Sequence, residues 1–526
     1  MAIVTSTDTR RVVVVGGGIS GLAAAHRLFE LRSQRDDASL EDARLEVVLL
    51  EASARVGGVV RTFRREGFLL EGGPDAYITE KPAARKLAER IGLAHRIIET
   101  NEQHRRSFVV SRGRLHPTPE GFQMLAPSRF LPFITTGIFT WRGKARVAFD
   151  LFLPRGGEAG GGREESLAGF VRRRFGREAL ERMAQPLAGG IYTADPELLS
   201  LRATFPRFLE MEREHRSLLL AMWRARSKAP GGGKASGARY QLFQTFDEGT
   251  QVLTDALAAR LPEGTIRLNT RVESINFDHD TRRWLLKTSG GLKTGDGDTS
   301  YSTASGSERV EANAERETIN AGATNDGETL SADAVCLALP AYASARLLRG
   351  VDDELAAELE RIPYASTATV NLAYRRSDIP HPLDGFGFVV PFIERRAVLA
   401  CTFSSVKFKA RAPEGCELLR AFVGGALQPE MFALDEERML EAVRRDLREL
   451  LGINAPPLFA HIERWPRSMA QYHVGHLELV SRINRRLQRH PTLALCGNAY
   501  TGAGLPDCVR TGETAADSLI KQLFVC

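Results

Sequence analysis

The chain has 526 residues, 43% of them hydrophobic and 26% charged, too many for one simple core and enough for two or three globular domains. Its net charge of +6, from 71 basic and 65 acidic residues with no Lys/Arg block, gives no indication of nucleic-acid binding and leaves anionic substrates or an anionic membrane surface as outlets for a mild basic excess. The polar residues 1–10 lack the apolar core of a signal peptide, and no stretch reaches ~18 uninterrupted apolar residues. Neither export nor a transmembrane helix is therefore expected.

The first element is a β-branched strand, Arg11-Val12-Val13-Val14-Val15, delivered into Gly16-Gly17-Gly18-Ile19-Ser20-Gly21. Gly16, Gly18 and Gly21 fit G-x-G-x-x-G: a tight turn, a close backbone approach to a pyrophosphate, and close packing of the next helix. That helix, expected over residues 20–31, points its free N–H groups and positive dipole end at the phosphates. A polar loop over residues 33–44 leads to a second strand, Leu45-Glu46-Val47-Val48-Leu49-Leu50, ending at Glu51. An acidic side chain there can hold ribose hydroxyls and repels a 2′-phosphate. Next comes Arg55-Val56-Gly57-Gly58-Val59-Val60-Arg61-Thr62, then Gly72-Gly73-Pro74-Asp75. The Arg-x-Gly-Gly segment resembles the second fingerprint of amine oxidase-type flavoproteins, which implies FAD, with Arg55 as a cation for the pyrophosphate.

Further along, residues 81–93 read as a helix, and Val109-Val110 to His116-Pro117 as a short hairpin. Residues 120–225 are helical and set apart. Within them Phe130-Leu131-Pro132-Phe133-Ile134 to Trp141 is apolar and flanked by Arg129, Arg142, Lys144 and Arg146. That pattern fits either an amphipathic surface seated in a membrane interface or an ordinary helical cap. Residues 229–237 form a glycine loop, and residues 266–275 read as one strand carrying Val272. Residues 287–330 read as a disordered insertion within a sheet. Residues 365–374 and 397–425 alternate like antiparallel strands, and 435–451 is an amphipathic helix. The six cysteines (Cys336, Cys401, Cys416, Cys496, Cys508 and Cys526) form no C-x-x-C pair and read as reduced, buried thiols of a cytoplasmic protein. His473-x-x-His476 is too small a set for a metal site. The last apolar strand, Leu493-Ala494-Leu495-Cys496, again runs into a glycine turn, Gly497-Asn498-Ala499-Tyr500-Thr501-Gly502-Ala503-Gly504.

Five internal segments resemble the oxygen-dependent protoporphyrinogen oxidase family of the flavin amine oxidase superfamily. They are residues 189–200, Phe205-Pro206 with 211–217, 385–391, 471–476, and 497–513. The resemblance covers nearly the whole chain. It implies an α/β (α+β multidomain) fold with a hydroxybenzoate-hydroxylase-like layout. A discontinuous Rossmann-like FAD-binding domain would comprise 1–80, 240–285, 331–345 and 465–526. An antiparallel-sheet substrate domain would comprise 95–120 and 346–464, and a helical membrane-binding domain 121–228. It implies FAD-dependent oxidation of protoporphyrinogen IX to protoporphyrin IX, with O2 becoming H2O2. Coproporphyrinogen III is the alternative substrate, and an amine oxidase or carotene desaturase a more distant reading. A homodimer, peripheral contact with the inner face of the membrane, and delivery of product to a ferrochelatase would accompany it.

The FAD-binding set implied is Gly16, Gly18, Ile19, Ser20, Gly21, Glu51, Ala52, Arg55, Gly57, Gly58, Gly72, Gly73, Pro74, Val272, Gly497, Asn498, Gly504, Leu505 and Val509. For substrate, Arg106 or its neighbour Arg105 would pair with a propionate. Phe386 would pack on a pyrrole ring, and the Gly190 carbonyl would lie near the bridge carbon. Ala341, where the family has a leucine, would leave that wall more open. No acid–base constellation is present in the sequence, so the cofactor is expected to carry the chemistry.

Overall fold

A computed structural model describes residues 9–36, 45–123, 126–155, 164–227, 243–290 and 327–524. At its centre is a five-stranded, fully parallel sheet in the order Ile266–Arg267, Leu45–Leu50, Arg10–Val15, Ala334–Leu337, Leu493–Leu495. Val12, Val13, Val14 and Val15 are buried, the continuous apolar run of a strand covered on both faces. The helix Ile19–Asp36 packs along the final helix, Leu505–Phe524. A Cβ on Gly512 would lie 2.2 Å from the Ser20 carbonyl oxygen, so the two helices touch backbone to backbone because residue 512 has no side chain. The chain's two ends therefore share one layer. The first helix begins at Ile19 and continues to Asp36, so residues 33–36, expected in a loop, are helical, and 37–44 lie outside the described residues.

A second, seven-stranded sheet runs in the order Phe459–Ala470, Tyr364–Arg375, Cys416–Gly424, Val398–Phe403, Gly387–Val389, Phe108–Ser111, Arg114–Pro117. It is antiparallel except where Gly387–Val389 meets Phe108–Ser111 in parallel. Helix Glu436–Leu451 covers it with Met439, Val443 and Leu447. Asp435 caps its start by accepting the Arg438 N–H at 2.8 Å, and Gly452, at φ +76°, ends it.

Several expected boundaries shift. Residue 465 falls inside the strand Phe459–Ala470, so the last cofactor-side piece begins after Ala470. Ile97–Glu99 pairs with Phe243–Phe246, which also pairs with Tyr77–Ile78; these residues belong beside the first sheet and not to the later hairpin. Residues 266–275 are not one strand. Asn269 takes a left-handed conformation (φ +52°), which breaks the extended chain. Ile266–Arg267 stays in the parallel sheet, while Arg271–Asp278 opens a separate antiparallel sheet with Arg283–Ser289 and Thr329–Ala332. Those two strands also move the edges of the expected 287–330 insertion inward. Its interior, 291–326, and the 229–237 loop lie outside the described residues.

Residues 130–227 supply short helices, among them Phe130–Thr135, Trp141–Ala148, Leu167–Phe175, Gln185–Tyr192, Pro206–His215 and Leu218–Ser227. A fully buried ion pair, Arg174 with Asp150 at 2.6 Å, joins two of their segments, and the Ser217 hydroxyl, donating to Asp150 at 2.7 Å, ties in a third. The described cysteines are free thiols, four of them buried; Cys336 and Cys496 sit on adjacent parallel strands with their sulfurs 3.7 Å apart.

Candidate functional site

The first glycine turn closes on its own backbone. Gly16, at φ +106°, donates its N–H to the Leu50 carbonyl at 2.8 Å. A Cβ at Gly21 would stand 1.9 Å from the Gly16 carbonyl oxygen. Above Gly18 the space is open: a Cβ there would meet nothing within 4 Å. That open face lies at the N-terminus of the Ile19–Asp36 helix, where first-turn N–H groups have no intrahelical acceptor. The arrangement fits a pyrophosphate. Glu51 stands beside it, accepting the Gly17 N–H at 2.6 Å and the Ser53 N–H and hydroxyl at 2.8 and 2.7 Å. The Glu51 carbonyl also accepts the Thr270 N–H at 2.9 Å, which brings Val272 to the same edge.

The Arg55–Gly58 loop folds directly over this turn. Gly57 donates its N–H to the Gly17 carbonyl at 2.8 Å, and Gly57 and Gly58 both have positive φ. Arg55 donates to the carbonyls of Val56 (3.0 Å), Val60 (3.3 Å) and Gly58 (2.6 Å). Its guanidinium thus secures the loop itself.

The strap Gly72-Gly73-Pro74 is held by side chains from three strands of the seven-stranded sheet. Thr369 Oγ1 and Trp465 Nε1 donate to the Gly72 carbonyl at 2.9 and 2.8 Å, and Arg420 donates to that of Gly73. Glu71, just before it, accepts the N–H and hydroxyl of Thr250 (2.8 and 2.9 Å) and the Thr62 hydroxyl (2.9 Å). Burial pushes Glu71 up to about 7 despite these hydrogen bonds. Asp75 is partly buried, yet Lys407 at 2.8 Å and Arg420 outweigh the burial and hold it down at about 2.

The second glycine turn is clasped from outside. The Tyr472 hydroxyl donates to the Asn498 carbonyl at 2.6 Å and accepts the Gly502 N–H at 2.8 Å. The His476 ring stacks on Tyr472 at 4.2 Å, with its Nε2 3.1 Å from the Tyr500 carbonyl oxygen. Burial raises the Tyr472 hydroxyl and lowers His476, keeping both neutral. Asn498 Nδ2 donates to the Ser468 carbonyl at 2.9 Å, and Thr511 Oγ1 accepts the Gly497 N–H at 3.1 Å. Gly504 immediately precedes the helix that starts at Leu505, whose buried first turn includes Val509. Asp507 in that turn pairs with Lys81 at 2.6 Å. Neither Tyr472 nor His476 was expected at the site. The 471–476 segment stood out in the sequence, but nothing in it announced partners some 25 to 30 residues onward.

Three of the four expected substrate residues gather around the adjacent strands Gly387–Val389 and Phe108–Ser111, with Phe386 buried among them. Phe386 donates its N–H to the Arg106 carbonyl at 2.8 Å. Gly190, exposed on helix Gln185–Tyr192, faces Val389: a Cβ there would be 3.8 Å from Val389 Cγ1. The Arg106 guanidinium is half exposed, ion-paired with Asp384, with Nε donating to the Asp384 carbonyl at 2.6 Å. Arg105 instead pairs with Glu102 at 2.8 Å. Ala341 is fully enclosed in the core, with its N–H on the Tyr364 hydroxyl at 2.8 Å, and so forms no open wall. His473 and His476 bring no third ligand: among the described residues no group of three or more His, Cys, Asp or Glu side chains could hold a metal.

The sequence pattern of flavin containing amine oxidoreductases matches residues 19–308 and 307–520. The chain belongs to that family. It is an oxidoreductase with a flavin cofactor, FAD, which the open dinucleotide turn and the Glu51 edge fit. Along its length it is 33% identical to a coproporphyrinogen III oxidase of Bacillus subtilis strain 168, covering 99% of this chain and 100% of the relative. It is 24% identical to protoporphyrinogen oxidase 2 of Arabidopsis thaliana, covering 99% and 96%. A crystal structure from Exiguobacterium sp. 255-15, provisionally assigned as a protoporphyrinogen oxidase, superposes with a TM-score of 0.78 at 30% identity, covering 98% and 99%.

Proposed function

We propose that the protein oxidises coproporphyrinogen III to coproporphyrin III, with O2 as acceptor and H2O2 as by-product. The carrying observation is the graded whole-length similarity: 33% and 35% to coproporphyrinogen III oxidases of two bacteria, against 24% to 28% for the plant protoporphyrinogen oxidases. This reverses the substrate order expected from the motifs. Protoporphyrinogen IX is the second reading, favoured by the Exiguobacterium structure.

The conversion removes six hydrogens from the macrocycle and consumes three O2 per porphyrin. Bound FAD supplies the hydride acceptor for each two-electron round. The chain supplies placement. Arg106 holds a propionate through charge-assisted hydrogen bonds, Phe386 packs against a pyrrole ring, and the Gly190 carbonyl faces the bridge carbon. The 497–504 turn and the helix behind it set the redox end of the cofactor against the substrate. The test offers the purified holoenzyme both porphyrinogens side by side and follows porphyrin fluorescence and peroxide. A higher kcat/KM with coproporphyrinogen III is expected. A preference for protoporphyrinogen IX selects the second reading, and fluorescence from neither removes both.

Location follows from a different surface. Among the described residues no helix is long and apolar enough to cross a membrane. Phe130, Leu131, Ile134, Trp141, Phe149 and Phe152 are nevertheless exposed, Leu131, Trp141 and Phe152 by more than 70%, over buried Phe133, Ile138 and Phe139. An exposed apolar cluster flanked by Arg129, Arg142 and Arg146 suits a seat in a lipid headgroup region, and we assign it that peripheral role. Sedimentation with anionic vesicles should capture the protein, and a Leu131→Ser/Trp141→Ser variant should stay in solution. Equal recovery of both from the supernatant would make the cluster an ordinary cap.

A further inference from the structure

We propose that Asp384 is a built-in competitor for the substrate's carboxylate: it occupies the anchor Arg106 and is displaced by a propionate, so that it sets affinity and specificity at that edge. The inference rests on the reading of Arg106 as the propionate anchor. Three observations carry it. First, the Arg106 guanidinium is engaged twice by one residue, Nη2 with the Asp384 carboxylate and Nε with the Asp384 backbone carbonyl at 2.6 Å. Second, the two contacts differ in kind. The carbonyl contact belongs to a fixed loop, because Phe386 donates its N–H to the Arg106 carbonyl at 2.8 Å and accepts the Phe403 N–H at 2.9 Å. A Cβ at Gly385 would stand 2.6 Å from the Phe108 ring and 2.9 Å from the Arg106 carbonyl, so this loop lies flat on the hairpin strand. The carboxylate contact is a half-exposed side-chain pair, with 47% of Arg106 and 29% of Asp384 accessible. Such pairs are weak and exchangeable. Third, the neighbouring histidine offers the displaced carboxylate no charge. His381, packed edge-on to Phe108 at 5.7 Å, is driven toward its neutral form by burial and by the Arg376 and Arg106 cations.

The same loop carries Phe386. Release of Asp384 and packing of a ring on Phe386 therefore occur within one three-residue segment, and a carboxylate-bearing tetrapyrrole engages both. A tetrapyrrole without carboxylates gains nothing from Arg106 and cannot displace Asp384. The Arg106 anchor thus favours propionate-bearing macrocycles over apolar ones, while the competition tempers that preference and weakens the grip on product.

The test measures equilibrium binding of coproporphyrin III and of etioporphyrin III, which lacks carboxylates, to the holoenzyme by porphyrin fluorescence. Wild type, Asp384→Asn, Arg106→Ala and the double variant are compared, with the flavin visible spectrum as the check on folding. Asparagine keeps the loop and removes only the charge. Asp384→Asn should tighten coproporphyrin III about two- to fivefold, the scale of an exposed ion pair, and leave etioporphyrin III unchanged. Arg106→Ala should weaken coproporphyrin III, and the double variant should match Arg106→Ala. If Arg106→Ala weakens binding while Asp384→Asn leaves it unchanged or weaker, Asp384 orients the anchor and the competition is refuted with the anchor intact. Equal tightening of both porphyrins refutes it as well. If Arg106→Ala has no effect on coproporphyrin III, the anchor reading itself falls.

Discussion

The two glycine turns that frame the chain are built by opposite means. The N-terminal turn, Gly16–Gly21, is shaped by its own backbone: positive φ at Gly16, and a helix packed so close that residue 21 has no room for a Cβ. The C-terminal turn, Gly497–Gly504, is shaped by side chains, with Tyr472, His476 and Thr511 arriving from elsewhere and its own Asn498 reaching the Ser468 carbonyl. A backbone-closed turn suits the invariant diphosphate of a dinucleotide. A side-chain-closed turn can be tuned without changing its glycines, which suits the end of the cofactor that must face a particular substrate.

The largest effect should come from breaking the first kind. Gly21→Ala puts a methyl group 1.9 Å from the Gly16 carbonyl oxygen, where neither atom belongs to a flexible side chain. A loss of about 3 kcal/mol or more is expected, the upper range for overpacking, together with loss of bound flavin. Gly512→Ala, 2.2 Å from the Ser20 carbonyl, should behave alike although it lies almost 500 residues away in sequence. Thermal melting and flavin content of the purified variants check both. A Gly512→Ala protein with native melting would show that the two terminal helices can separate at little cost.

This contrast also sets what was legible in the sequence. Gly16, Gly18 and Gly21 are read locally, since their roles follow from spacing on one strand–turn–helix unit, and Glu51 follows from the next strand. The strands that enter the two glycine turns, the hairpin at 109–117 and the amphipathic helix at 435–451 were likewise visible as short-range patterns. The clasp by Tyr472 and His476 was not, because a buried aromatic residue looks the same in a sequence whether it fills a core or holds a distant carbonyl. The break at Asn269 was missed for a related reason: the alternation continues across it, and only the left-handed turn sends the two halves to different sheets.

Tyr472→Phe tests the second kind of turn with a smaller change. It removes one oxygen, leaves the His476 stack, and strands the Gly502 N–H and the Asn498 carbonyl without this partner. About 1–3 kcal/mol is the scale for buried groups so abandoned. Faster hydrogen exchange at residues 498–502 and an altered flavin visible circular dichroism are expected in the holoenzyme, with exchange at 16–21 unchanged. Uniform loosening of both turns would mean that they are not independent.

A gradual effect, no more than about 1.4 kcal/mol for each pH unit, concerns the strap that carries Glu71. Glu71 titrates near 7 in the folded chain against an ordinary 4.5. Between those values the folded state keeps a proton that the unfolded state has released. Raising the pH through that window therefore favours unfolding, and the penalty is complete above pH 7. Glu71→Gln retains the shape and removes the titration. Its melting temperature should coincide with wild type near pH 4.5 and exceed it by a growing margin up to pH 7, with no further divergence above. Arg411 and Arg420 work the other way: both favour the ionised carboxylate. Parallel melting profiles for wild type and variant would show that these two cations win, and that Glu71 holds Thr250 and Thr62 as an anion throughout.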